Sequence, residues 1–229
     1  MLKAIELDPK FATAMAQLGW VYMQQARRRY VPDPKKAISL SADWARRAIE
    51  ADPDNPGGLR LMSRLQSRKG NHQGAIALGK RSVELNPSNA AAHATLAFTY
   101  LLALQPEPAL QAINRAMRLA PNPPPVYHWF AGAAHYWSGR HEAAVSEYKK
   151  MVANASGGIW LRVGLVGLML NYMKMGEEDQ AKAAVEKLIK ANPGFTISGY
   201  VRRLKNFPFK DFDWLDKDAE ILRKAGLPE

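Results

Sequence analysis

Arg60, Arg64 and Arg68 recur at every fourth residue. On a helix that spacing sets three guanidiniums in one stripe, where like charges repel modestly unless an acid compensates. The neighbouring helical stretches Met15–Ala26 and His93–Ala103 contain no Asp or Glu. The chemistry offered is recognition of an acidic ligand, since a planar guanidinium pairs with a carboxylate through two parallel hydrogen bonds. The blander reading is a solvated basic face whose acids lie elsewhere. Trp129 and Tyr136 lie seven residues apart with Trp137 adjacent, so they can share a helix face. Such rings more often pack between helices than carry a ligand, although an exposed set suits a peptide with apolar anchors.

Catalytic chemistry finds no comparable support. His128 and His135 are separated by about 10 Å of helical rise, too far to share a metal ion. His141 falls beyond the turn at Gly139, and its neighbour Glu142 completes no ligand set. The run Gly164–Gly167 lies in helical context and lacks the spacing and strand of a phosphate loop. No Ser, His and Asp stand in the local settings that nucleophilic catalysis uses. The expectation is a chain without catalytic residues, metal or cofactor, and not an enzyme.

Composition narrows the remaining classes. There are no cysteines, which removes disulfides, thiolate metal sites and thiol nucleophiles together. The opening MLKAIELDPK lacks the basic-then-apolar layout of a secretory signal. The longest run free of Lys, Arg, Asp and Glu is Leu85–Pro106, and its apolar part, Ala90–Leu104, is interrupted by His93, Thr95 and Thr99. That falls short of the roughly 20 residues of a membrane helix. A soluble, cytoplasmic protein with no membrane span is expected. The net charge is +11, and residues 1–87 carry 15 Lys+Arg against 8 Asp+Glu, whereas residues 88–229 carry 17 against 13. The early excess, in Arg27–Arg29, Arg46, Arg47 and the Arg60 stripe, suits an acidic protein or, as the alternative partner, nucleic acid.

The elements that must position these side chains announce themselves by repetition. Helix-ending phrases recur as AIELDP (Ala4–Pro9), AIEADP (Ala48–Pro53), SVELNP (Ser82–Pro87), AMRLAP (Ala116–Pro121) and LIKANP (Leu188–Pro193). The closing prolines are 44, 34, 34 and 72 residues apart, with the weaker phrase Met151–Ser156 midway through the last interval. Proline cannot continue a helix and biases its predecessor away from helical geometry, so each phrase marks a turn. Inside the units, Leu18/Gly19/Tyr22, Leu96/Ala97/Tyr100, Ala131/Gly132/His135 and Leu168/Met169/Tyr172 repeat a pattern of bulk, gap and ring. Met62/Ser63/Gln66 fits it least. Ala75, Ala109, Ala144 and Ala181 mark second helices, and Gly70, Gly139 and Gly176 fall in turns where left-handed backbone is needed.

Over residues 4–193 these features resemble the tetratricopeptide repeat family, whose period is about 34 residues. The family's first tryptophan-type position is not kept, being Met15, Leu59, His93, His128 and Leu165. The resemblance implies an all-α fold, a right-handed α-solenoid of about five helix pairs (residues 1–193) followed by a C-terminal capping segment (residues 194–229). Residues 1–9 are then the remnant of a truncated repeat. Leu2, Ile5 and Leu7 would lack a partner in this chain, and that edge offers a surface for a homodimer. The segment RRRYVPDPKKAISLSADW is expected as a long connection into the second helix of its unit, with Pro32 and Pro34 interrupting it. Phe207, Phe209, Phe212 and Trp214 are expected to shield the last apolar face. The long first unit and the closing LRKAGLPE are similar to the C-terminal repeat region of bacterial, rhizobial-type class III adenylate or guanylate cyclases.

In the tetratricopeptide family the first helix of each pair lines a concave groove. The resemblance therefore implies a peptide-binding groove with Trp20, Arg60, Arg64, Arg68, Phe98, Trp129, Tyr136 and Trp137 on or near it. Ala16, Trp20, Ala94 and Phe98 stand where relatives that clamp a peptide carboxyl terminus carry lysine and asparagine, so that clamp is not expected. The implied function is a protein–protein interaction scaffold, serving as a regulatory or assembly region of a larger bacterial signalling protein such as a cyclase.

Overall fold

The computed structural model describes residues 1–28, 30–155 and 157–229. Arg29 of the early basic run and Ser156 of the phrase Met151–Ser156 lie outside the described residues. Among the described residues every regular element is a helix, and consecutive helices pack as pairs. The chain divides into two compact units, Met1–Thr99 and Tyr100–Glu229.

The first unit opens with α1 (Leu2–Leu7) and continues with α2 (Ala12–Arg28), α3 (Pro34–Ala51), α4 (Pro56–Arg68), α5 (His72–Leu85) and the start of α6 (Ala90–Leu102). Prolines sit in the first turn of α3 and α4, where a missing N–H costs nothing. Side chains satisfy the neighbouring orphan donors: Lys36 N–H donates to Asp33 at 2.9 Å, Gly58 N–H to Asn55 at 2.9 Å and Gly74 N–H to Asn71 at 3.1 Å. The Asp33 cap corrects the expected long connection. KKAISLSADW lies inside α3, because Asp33 and Pro34 together start a helix instead of blocking one. The extra length of this repeat lengthens its helices, to 17 residues in α2 and 18 in α3.

Close packing in this unit depends on its small residues. A Cβ on Gly19 would come within 2.4 Å of Leu61 Cδ2, so α2 and α4 meet there with no room for a methyl group. Leu61 is fully buried with Met23, Ala45 and Leu65, a burial worth about 1.5–3 kcal/mol for one such side chain. The poorly fitting Ser63 also has a physical account: it is fully buried and its hydroxyl donates to the Ala75 carbonyl at 2.8 Å. Ile5 is not partnerless, since it is buried against Ala14, Met15, Leu18 and Ala48 of the same chain. Leu2 and Leu7 remain exposed at 57% and 78%.

The second unit holds the end of α6, then α7 (Pro106–Leu119), α8 (Pro125–Trp137), α9 (His141–Ala153), α10 (Gly158–Met175), α11 (Glu178–Ala191), α12 (Ile197–Leu204) and α13 (Asp213–Lys224). Its centre is the Tyr148 ring, which lies within 3.0 Å of where Cβ atoms on both Gly132 and Gly167 would stand. Met151, Leu165, Met169, Leu188 and Leu222 fill the surrounding core. The turns at Gly139 and Gly176 take φ of +70° and +76°. The α6–α7 turn requires the same backbone but places Leu104 there, at φ 55°, a conformation that costs a side chain about 1–2 kcal/mol.

Candidate functional site

The arginine stripe occupies α4, and two of its members lie on aromatic rings of other first helices. The Arg60 guanidinium is 4.0 Å from the Trp20 ring centroid of α2, and that of Arg64 is 3.7 Å from the Phe98 centroid of α6. The ring faces carry partial negative charge that attracts the cations, so Trp20 and Phe98 hold the guanidiniums in place. Phe98 is buried, Trp20, Arg60 and Arg64 are half-buried, and Arg68 is exposed.

Electrostatically the stripe is strained. Burial, followed by the charges of Arg27 and Arg68, pulls the Arg64 guanidinium well below the usual arginine range, although a guanidinium still keeps its proton at neutral pH. Some arginines outside the stripe have acids beside them, as in Arg81 with Asp54 at 2.9 Å and Arg46 with Asp43. Among the described residues no carboxylate forms an ion pair with Arg64. Trp20 Nε1 is buried here without a hydrogen-bond partner among the described residues. The stripe is thus a set of oriented, weakly hydrated cations that an incoming carboxylate would stabilise.

The aromatic residues of the second unit have a different setting. Trp129 packs half-buried against the core of α9, α10 and α11 and touches Phe130, ring centroids 5.2 Å apart. The Tyr136 hydroxyl donates to Asp218 of α13. Trp137 makes edge contacts with Phe209 and Trp214, at 5.7 and 5.4 Å between centroids. Tyr136 and Trp137 are therefore covered by the C-terminal part of their own chain. Phe209 and Trp214, expected over the last apolar face, rest on α8. Leu222 and Leu227 supply cover to the core instead.

Asp218 carries no signal in the sequence, being one acid among several in a charged helix. It is only 3% exposed, and burial pushes its carboxyl up to about 6, against the opposing effects of the Tyr136 hydrogen bond and the Lys174 charge. The histidines make ordinary side-chain contacts. His128 Nδ1 lies 2.7 Å from Glu147, and His141 Nδ1 lies 3.0 Å from the Asn171 side-chain oxygen. Burial, then the charge of Arg140, keeps the half-buried His135 below the usual histidine range. Among the described residues no group of three or more His, Asp or Glu could hold a metal ion, and no helix is long and apolar enough to cross a membrane.

Within each unit the helices pack as consecutive pairs, the arrangement of a helical-repeat fold. Models of the tetratricopeptide repeat match residues 68–128 and 170–195. Solved structures share the fold. PilF of Pseudomonas aeruginosa is 18% identical with a TM-score of 0.64, covering 84% of this chain and 82% of its own. A thermophilic tetratricopeptide protein of Thermus thermophilus, TTC0263, is 20% identical with a TM-score of 0.60, covering 82% and 98%. YrrB, described as a tetratricopeptide protein with an unusual peptide-binding site, is 16% identical with a TM-score of 0.63, covering 88% and 97%. No curated protein matches by sequence.

Proposed function

We propose that this scaffold binds an extended, acidic segment of a protein partner on the first-helix face of the residue 1–99 unit. Arg60, Arg64 and Arg68 pair with carboxylates of the partner, while Trp20 and Phe98 hold two of the guanidiniums in position. The observation that carries this reading is Arg64, fixed over Phe98, crowded by Arg27 and Arg68, and not ion-paired among the described residues. Because rings and packed helices already fix the arginines, association orders few side chains, which limits its entropic cost. The peptide-binding site described for YrrB supports the same use of the fold. The role is non-catalytic and cytoplasmic. The similarity of the long first repeat and the closing LRKAGLPE to cyclase C-terminal regions supports service as a regulatory or assembly region of a bacterial signalling protein.

The test is titration of the full chain with a glutamate-rich peptide and with duplex DNA at two salt concentrations. The peptide is expected to bind, and Arg64→Ala to weaken it about tenfold, the loss of one charge-assisted contact. Binding of DNA alone, with the steep salt dependence of phosphate neutralisation, would move the assignment to nucleic acid.

A further inference from the structure

Between α12 and α13 the chain runs as an irregular strap, Asn206–Phe212, that turns where Phe209 N–H donates to the Phe207 carbonyl at 2.9 Å, ahead of Trp214 in the first turn of α13. Its hold is narrow. Lys210 N–H donates to the Leu102 carbonyl at 2.8 Å, one of the four orphan acceptors that close α6. Phe209 lies edge-on to Trp137 and to Trp214, the latter pair 5.2 Å apart at 77°. Phe207 and Phe212 gather on Phe209 at 6.2 and 6.1 Å, and both stay half-buried. The following helix is rooted more deeply, with Leu215 and Leu222 fully buried.

The strap therefore meets α8 through the Phe209 ring, on which Phe207 and Phe212 gather. It also leaves a defect. Trp137 Nε1 is buried at this site with no hydrogen-bond partner among the described residues, an unmade bond that natural cores rarely tolerate. We propose that Asn206–Phe212 is a cis occupant of a peptide-binding site on α8 around Trp137. Its external ligand is a protein segment of the same chemistry, two or three closely spaced aromatic residues, bearing in addition an acceptor that reaches Trp137 Nε1. The tether gives the strap a high local concentration, so it keeps the site shielded until a better-matched segment displaces it. α13 stays anchored during the exchange.

The test uses the full chain and a fluorescent peptide of sequence NFPFKDFDW. Phe207→Ala combined with Phe209→Ala empties the cis site and is expected to bind the peptide about tenfold or more tightly than wild type. Adding Trp137→Ala is expected to abolish the gain. Hydrogen exchange of the wild-type chain supplies a measurement that needs no variant. The Lys210 amide is expected to exchange by local opening, well ahead of the amides of α13. The proposal is overturned by a folded double variant that ignores the peptide, by equal binding to wild type and variant, or by a strap that exchanges only together with α13. A concentration-dependent dimer in place of peptide binding would instead assign the site to strap exchange between copies.

Discussion

The two units use aromatic residues on first helices in opposite ways. In residues 1–99 the rings of Trp20 and Phe98 lie under arginines, whose charge no acid beside Arg64 cancels. In residues 100–229 Tyr136 and Trp137 lie under the chain's own Asp218, Phe209 and Trp214. A ring beneath a cation holds a charge in place at the surface of its unit. A ring beneath other rings buries apolar area, and the segment covering it is held by the hydrophobic effect. The same kind of helix pair thus carries rings under cations in one unit and rings under the chain's own C-terminal part in the other.

This contrast can be broken most forcefully at Leu222. Its side chain is fully buried in the core beside α10 and α11, so Leu222→Ala should cost about 2–5 kcal/mol. Chemical denaturation would show it as a lower midpoint for residues 100–229. If no such loss occurs, the C-terminal segment is not part of that core. Next in size is Asp218. Its carboxyl is raised from 3.8 to about 6, so the native state holds the proton more tightly than the unfolded chain. The resulting stabilisation is complete below about pH 4 and is lost as pH rises through about 6, an effect on the order of 2–3 kcal/mol. Asp218→Asn, which keeps an acceptor for Tyr136, should flatten that part of the stability–pH profile measured by urea melts from pH 4 to 7.

Arg64→Ala should separate binding from folding. We expect thermal stability to change by less than about 1 kcal/mol, since a half-buried cation over a ring contributes about that much and its removal relieves repulsion. A large fall in melting temperature would make the arginine stripe structural instead. The smallest effect is expected at Leu104, where the first turn of the second unit lacks the glycine that its sibling turns carry. Leu104→Gly should raise stability by up to about 1 kcal/mol, by relieving the left-handed strain, unless lost packing offsets it; calorimetry would decide.

Much of the architecture is legible in the chain. The closing prolines, the small residues such as Gly19 and Gly132, and the turn glycines predict helix pairs because each meets a local steric demand that those residues satisfy most cheaply. The insertion near Pro32 is harder to read. Proline both stops a helix and starts one, and Asp33 as a cap tips the balance toward starting α3. The arginine stripe is visible as a spacing, but the rings beneath it are not, since Trp20 and Phe98 lie 40 and 34 residues from the arginines they support.

The cover over Tyr136 and Trp137 is the clearest limit of a one-dimensional pattern. NFPFKDFDWL reads as an aromatic cluster with any apolar surface as a destination, and Asp218 reads as a solvated acid. Local sequence determined the helix pairs, their turns and the side chains available on each first helix, because those depend on interactions within a few residues. Only the tertiary structure decided which rings meet a cation and which are covered by the chain's own end. That choice depends on contacts as distant as the 82 residues between Tyr136 and Asp218, where burial and geometry, not spacing, select the partner.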